Sequence, residues 1–287
     1  MIAPGADLHA HTTASDGEFT PEELVRAARA AGIATLAVTD HDTMSGVAAA
    51  QAAGERMGIE VIAGVEMSCH WKTAAGGPQT VHVLGYFCDP RAEEMARLDR
   101  VKRESRTRRA RAMVQRLRDL GVAVSFDRVR QIAGDAQIGR PHIARAVIEA
   151  GYENDWGRVF DRWLGNDAPA YVSGERTLVP EAIELIRAAG GLAVIAHPYY
   201  DFHGGKLELD RLLPAAIEAG LAGLEVFYGS FPDAERAWAL GYAERFDLVP
   251  TGGSDFHGPG SGTNPLGTSL CPPANLSALK GLRHPPV

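Results

Sequence analysis

Cysteine is scarce in this 287-residue chain: Cys69, Cys88 and Cys271 are the three present, with no Cys-x-x-Cys pair among them. An odd count without such a motif speaks against a disulfide framework and fits reduced thiols in a reducing compartment. Long apolar runs are missing as well. No stretch approaches the roughly 20 residues a membrane-spanning helix needs, and the segment 1–7 carries neither the basic start nor the apolar core of a leader peptide. The expectation is a cytoplasmic protein with no membrane partner. Positive charge is in deficit, the formal net charge being -7, which argues against a general nucleic-acid coat and against a stable nucleic-acid complex. Also absent are a Gly-x-Ser-x-Gly elbow, a P-loop and a dinucleotide fingerprint following a strand.

What is present is a chain 45% hydrophobic, enough for one large α/β domain or one domain with an insertion. Apolar, β-branched runs recur at 6–11, 33–39, 60–66, 80–87, 192–197, 223–228 and 248–252. Helical stretches stand between them, so seven strands in a parallel sheet are expected, open or closed into a barrel. The helix start at Thr20-Pro21-Glu22-Glu23 combines an N-cap, an early proline and two acids in the first turn. From 91 to 176 the alternation stops and only helices are expected, at about 91–120, 126–133, 141–150 and 156–164. The organisation read from this is a barrel domain of residues 1–90 and 177–287, interrupted by a helical insertion that serves as a substrate cap. Met113, Leu117 and Leu120, at helical spacing, are expected in the core of that insertion.

Metal-capable side chains gather at the ends of those strands. His9 and His11 stand two apart at the end of the first, where alternation points both to one face. Asp16 follows in a loop, His41 and Asp42 follow the second strand, and Glu66 ends the third. His82 lies inside the fourth, His197 ends the fifth, and Asp255 with His257 follow the seventh. Barrel enzymes keep their chemistry at the C-terminal ends of the strands. Taken singly, each residue has a plain structural use: His82 as a buried histidine, Asp16 as a turn residue, Thr39-Asp40-His41-Asp42 as a helix cap. Together they exceed the four ligands one zinc ion takes, which implies two or three divalent ions, with Glu66 as the natural bridging carboxylate. A nitrogen and oxygen donor set without thiolate suits Mn²⁺, Zn²⁺ or Fe²⁺ better than Mg²⁺. Such a centre is a template for phosphate ester hydrolysis, a bridging hydroxide attacking phosphorus and an acid, His197 or Asp42, protonating the leaving group. His70, His203 and His284 are expected on the surface or in loops.

The segments Asp-Leu-His-Ala-His (7–11), Ser-Asp-Gly (15–17), Thr-Asp-His-Asp (39–42), Gly-Val-Glu (64–66), Ala-His-Pro (196–198) and Gly-Ser-Asp-Phe-His (253–257) resemble, in order, the motif set of the PHP (polymerase and histidinol phosphatase) family of the amidohydrolase-like superfamily. The resemblance implies a distorted (β/α)7 barrel with a trinuclear site, often manganese. It implies ligands at His9, His11, Asp16, His41, Glu66, His82, His197, Asp255 and His257.

In the insertion, Gly139-Arg140-Pro141-His142 and Trp163-Leu164-Gly165 resemble the branch that removes the 3'-phosphate of nucleoside 3',5'-bisphosphates; close relatives trim short RNA from its 5' end. Pro141 at the first position of a helix, flanked by Arg140 and His142, makes an anion site on separate physical grounds. Between Arg97 and Arg118 stand ten Lys/Arg against two acids, and Lys102, Arg103 and Arg106 on neighbouring turns are further candidates for phosphate contacts. The expected activity is a 3',5'-bisphosphate nucleotide phosphatase acting on a small nucleotide. The alternatives are a 5'-to-3' exoribonuclease on short oligonucleotides and a histidinol-phosphate phosphatase.

Overall fold

Eight strands form in the computed structural model, which describes residues 3–166, 168–174, 177–202, 206–229, 231–260 and 264–283. They are β1 (Ala3–Asp7), β2 (Ile33–Val38), β3 (Glu60–Lys72), β4 (Pro78–Tyr86), β5 (Thr177–Leu178), β6 (Leu192–Ile195), β7 (Leu221–Tyr228) and β8 (Val249–Gly253). Their hydrogen-bonded order is β1-β2-β3-β4-β6-β7-β8, and the two-residue β5, which no run in the sequence announces, pairs with β3 off this path. The ends of the path meet: Leu8 N–H donates to the Gly252 carbonyl at 3.1 Å, Asp255 N–H to His9 at 2.8 Å and His11 N–H to Phe256 at 2.9 Å. The result is a nearly closed, seven-stranded α/β barrel.

The expectation of an all-parallel sheet fails at β4, which runs antiparallel to both β3 and β6. The reason is the short link between β3 and β4. A turn in which Thr73 N–H donates to the Gly77 carbonyl at 2.9 Å leaves no room for the crossover helix that parallel neighbours require. Reversal has a consequence for the site. His82 pairs with Ser68, two residues beyond Glu66, so the first half of β4 lies at the same rim as the last residues of β3.

Leu8, Ala37, Ile62, Leu84, Val194 and Ala196 pack the barrel interior below that rim. The helix Pro21–Ala30 begins as its residues dictate: Thr20 N–H donates to Glu23 Oε2 at 2.9 Å and the Thr20 hydroxyl accepts from Glu23 N–H at 3.3 Å. By contrast, the helix Val47–Met57 has no side-chain cap, and Asp40 is used elsewhere.

The chain divides into two compact units, one of Met1–Arg97 with Arg176–Val287 and one of Leu98–Glu175. The second unit is helical. It takes most of Glu93–Asp119, then Phe126–Ala133, Arg140–Glu149 and Trp156–Val159, the last continuing as a π-helical turn Phe160–Leu164. Its own core includes Met113, Leu117, Ile143, Val147 and Leu164. Leu120 departs from expectation and is 49% exposed, because the helix stops at Asp119 and the chain turns away at Gly121 with φ of 84°. Among the described residues no helix is long and apolar enough to cross a membrane. The three cysteines are buried.

Candidate metal centre

The hydrogen bonds that close the barrel also set two pairs of side chains against each other. His9 and His11, on the extension of β1, face Asp255 and His257 on the extension of β8. Asp255 Oδ1 lies 3.2 Å from His9 Nε2 and 3.1 Å from His11 Nε2. The β2 extension is pinned to β3, since Asp42 N–H donates to the Glu66 carbonyl at 2.8 Å, and this brings His41 Nδ1 to 2.8 Å from Glu66 Oε2.

Glu66, 1% exposed, is the hub. Its Oε1 lies 3.5 Å from His9 Nε2 and 3.2 Å from His197 Nε2, whereas its Oε2 lies 3.3 Å from His11 Nε2 and 2.8 Å from His41. One carboxylate oxygen therefore faces each side of the cluster. Asp16 Oδ1 lies 3.5 Å from His257 Nε2, and its Oδ2 lies 3.7 Å from His41 Nε2.

Four groups of side chains have donor atoms within 4.8 Å of one another: His11, Asp16, His41 and His257; His9, His11, Glu66 and Asp255; His41, Glu66 and His82; and His82, His197 and Asp201. All nine residues of the expected ligand set fall in these groups, and Asp201 joins them. The donors fit metal ions on a second count. His9 Nε2, His11 Nδ1, His82 Nδ1 and His197 Nδ1 are buried with no hydrogen-bond partner, a state that buried polar atoms rarely tolerate and that a bound cation relieves.

Charge is arranged to match. Burial lowers the His11 imidazole, and the neighbouring His257 and His41 push it further down, to about 3. Burial also disfavours charge on His197 and His257, but Asp201, Glu66 and Asp255 around the first, and Asp255 with Asp16 around the second, more than offset it, lifting them to about 9 and about 10. His41, His9 and His82 around Glu66, His41 and His257 around Asp16, and His9 and His257 around Asp255 overcome burial and hold all three carboxylates below the usual range. Backbone geometry is unusual at the same place: Asp42, His197 and Asp255 adopt φ of 56°, 23° and 55°, a region that non-glycine residues seldom enter and that clusters at functional sites.

Around these donors stands a set of residues outside the expected ligand set. Asp7 accepts the Ser254 and Gly267 N–H groups at 2.9 and 3.0 Å. Asp40 accepts from Thr12 N–H at 2.8 Å, the Thr12 hydroxyl at 2.7 Å and the Ser15 hydroxyl at 2.6 Å, which fixes the loop leading to Asp16. Burial, with Asp16 adding to it, raises the Asp40 carboxyl to about 6. Asp201 Oδ2 accepts from His82 N–H at 2.9 Å. Glu225 and Tyr228, both on β7, reach His9 and Asp255 respectively. The signal for Glu225 is a lone acid in the apolar run Leu221–Tyr228 of a buried strand.

Asp42 is not drawn into any of the four groups. Its carboxylate, 1% exposed, accepts from Ser68 N–H at 3.0 Å and so ties the β2 extension to β3.

The five candidate phosphate-contacting residues lie in the helical unit. The helix Arg140–Glu149 starts one residue earlier than expected, because Gly139 in extended conformation is its cap, so Pro141 is its second residue. His142 Nδ1 accepts from Gly139 N–H at 2.9 Å. Arg140 Nη1 donates to the Leu164 carbonyl at 3.3 Å and to Asn166 Oδ1 at 3.2 Å. Arg106 also approaches this helix start: a Cβ at Gly139 would lie 3.8 Å from Arg106 Nη1. Arg103 donates to the Asp135 carbonyl at 2.8 Å, and Lys102 is 5% exposed. Thus Arg106, Arg140 and His142 gather at one helix start, while Arg103 is turned to Asp135. His70 is half-buried in β3 rather than in a loop, because β3 continues to Lys72; His203 and His284 lie outside the described residues.

The chain is similar to a 3',5'-nucleoside bisphosphate phosphatase of Chromobacterium violaceum, 40% identical over 271 residues that cover 93% of this chain and 92% of that one. It is 36% identical to a 5'-3' exoribonuclease of Haemophilus influenzae, over 88% of this chain and 90% of the relative. A crystal structure of a proposed metal-dependent phosphoesterase from Bifidobacterium adolescentis superposes with a TM-score of 0.88 at 33% identity, covering 99% of this chain and 97% of that one. The PHP domain model matches residues 7–154. Motif order, a barrel closed by its metal-capable ends and relatives matched nearly end to end agree: the chain belongs to the PHP domain family.

Proposed function

We propose that this metal-dependent phosphoester hydrolase of the PHP family removes the 3'-phosphate of nucleoside 3',5'-bisphosphates, giving the nucleoside 5'-monophosphate and phosphate. The observation that carries the chemistry is the division of Glu66, one oxygen toward His9 and His197 and the other toward His11 and His41. The choice of substrate is supported by 40% identity over 93% of the chain to a relative named for that reaction, a match that runs through the helical unit as well as the barrel.

We assign the ligand role to His9, His11, Asp16, His41, Glu66, His82, His197, Asp255 and His257, with Mn²⁺ as the ion best suited to their nitrogen and oxygen donors. When bound, such ions neutralise charge on the transferring phosphoryl group and activate water. The protein's own contribution is to hold the donors in place. Barrel closure sets His9 and His11 against Asp255, and the Asp40 hydrogen bonds keep the Asp16 loop at the rim. Of the two candidate acids for the leaving oxygen, Asp42 is committed to the Ser68 backbone, and His197 would act only through the ring nitrogen that does not hold a metal ion. The second phosphate of the substrate we assign to the cations near the start of the helix Arg140–Glu149, with Arg106, Arg140 and His142 foremost and Lys102 and Arg103 beside them in sequence, since a helix N-terminus and guanidinium groups both attract phosphate.

A second reading, 5'-to-3' exoribonuclease on short oligonucleotides, is supported by the 36% identical relative of that name and uses the same donors. Phosphate release from adenosine 3',5'-bisphosphate, from histidinol phosphate and from a 5'-phosphorylated dinucleotide, each with Mn²⁺, separates the readings. The bisphosphate is expected to turn over fastest. Equal turnover of histidinol phosphate would overturn the nucleotide assignment, and mononucleotide release from the dinucleotide at a higher rate would favour the exonuclease.

A further inference from the structure

β7 supplies none of the nine ligand candidates, yet it carries an acid that touches two of them. Glu225, fully buried, lies with Oε1 3.1 Å and Oε2 3.3 Å from His9 Nδ1, and its Oε2 accepts the His197 backbone N–H at 2.8 Å. His9 comes from the end of β1 and His197 from the end of β6, so this carboxylate joins two ligand-bearing segments from behind. Tyr228 joins it at the centre through an irregularity in β7. Between Glu225 and Phe227 the pairing with β8 advances two residues against one, the signature of a bulge, which re-aims the side chains that follow it. Glu225 and Tyr228, three residues apart and therefore on opposite faces of a regular strand, both reach the centre.

We infer that Glu225 is a positioning residue that selects the tautomer of His9. An imidazole has one N–H and one lone pair when neutral, and the hydrogen bond at one nitrogen decides which of them the other presents. A carboxylate can only accept, so Glu225 requires the proton on Nδ1 and leaves the lone pair on Nε2. It is Nε2 that lies among Glu66 and Asp255 and has no hydrogen-bond partner. Because Glu225 also holds the His197 main chain, where φ is 23°, it keeps that residue in a conformation it would not choose alone.

The inference rests on the reading of His9 and His197 as ligands, and it makes an unusual demand of a near-isosteric change. In Glu225→Gln the single oxygen must meet the His197 N–H, which cannot be rearranged, so the amide NH₂ faces His9 Nδ1. That arrangement puts the proton on Nε2 and blocks the metal. In Glu225→Ala a water can accept the Nδ1 proton, and the correct tautomer survives. A purely structural role gives the opposite order, the truncation being worse than the amide.

The test is competition for Zn²⁺ between the protein and a chromophoric chelator, with nitrogen-15 spectra of the histidine rings in the Zn²⁺-loaded protein. Glu225→Gln is expected to weaken Zn²⁺ binding by about 10- to 100-fold, the usual cost of losing a partner behind a ligand, to weaken it more than Glu225→Ala does, and to lose the Nδ1–H signal of His9. Zn²⁺ affinity within twofold of the unaltered protein, the reverse order of the two variants, or a retained Nδ1–H signal in Glu225→Gln would each overturn it. An unaltered protein that takes up no Zn²⁺ would overturn the metal reading itself, and this inference with it, whereas failure of the bisphosphate assay leaves Zn²⁺ binding as it is.

Discussion

The Asp255 backbone N–H donates to the His9 carbonyl at 2.8 Å, so the two strand extensions that carry the metal-capable ends of the chain are joined by the same ladder that closes the barrel. Closure and donor geometry are one feature. The approach is close enough that Gly253 has no room for a side chain: a Cβ there would lie 2.4 Å from His9 Cβ and 2.5 Å from His9 N.

Gly253→Ala is therefore expected to pry β8 from β1 and to cost about 1–3 kcal/mol, the range for overpacking a tight contact. A fall in Tm of several degrees with loss of bound metal, measured by thermal unfolding and elemental analysis, would bear this out. Unchanged metal content would show that the donors do not depend on closure.

Tyr228 donates to Asp255 Oδ2 at 2.8 Å, leaving Oδ1 to His9 and His11. Tyr228→Phe removes a hydrogen bond to a charged acceptor, worth roughly 1.5–3 kcal/mol. We expect kcat to fall about tenfold or more with KM nearly unchanged, and Mn²⁺ affinity to fall with it. Steady-state kinetics across a Mn²⁺ titration measures both.

The titration of the histidines gives a pH prediction with a definite sign. In metal-free protein His197 and His257 stand at about 9 and about 10, above the ordinary 6.5, so both are protonated at neutral pH and must lose protons to bind metal. Calorimetric titration at pH 7.5 in buffers of different ionisation enthalpy should show proton release on metal uptake, with affinity rising toward pH 9. A raised histidine stabilises the fold fully below 6.5, and this contribution is lost as pH climbs through 9 and 10. Metal-free protein should therefore lose Tm between pH 7 and 10, while metal-saturated protein holds it. Equal slopes for the two forms would rule out this linkage.

For the helical unit, Arg140→Ala is expected to raise KM for the bisphosphate about tenfold, while kcat stays within about twofold, as for loss of uniform binding. Since Arg140 also donates to Leu164 and Asn166, a circular dichroism melt must accompany the kinetics. Unchanged KM would remove Arg140 from the phosphate assignment.

Much of the centre was legible because its donors repeat a local pattern, a histidine or acid at the end of an apolar run. His9, His11, Glu66, His197 and Asp255 all follow it. His82 does not, since it stands inside its run, and only the reversal of β4 explains why it belongs with the rest. Asp201, Glu225 and Tyr228 were not legible for a different reason. Glu225 lies 216 residues from His9, Asp201 meets His82 119 residues away, and a single acid or tyrosine carries no periodic signal. The bulge that brings Tyr228 to the same side as Glu225 is a property of strand pairing and leaves no mark on residue type. The two-residue β5 escaped notice because it is too short to show alternation.

Closure by the chain's two ends has a consequence for biosynthesis. His11 and Asp255 are 244 residues apart, so a chain emerging N-terminus first displays several strong metal donors long before the carboxylate that completes their geometry has been made. Contacts of such long range form late in folding. During translation the early histidines are made well before the strand that completes their arrangement, and β8 is the element that fixes the geometry of the cluster.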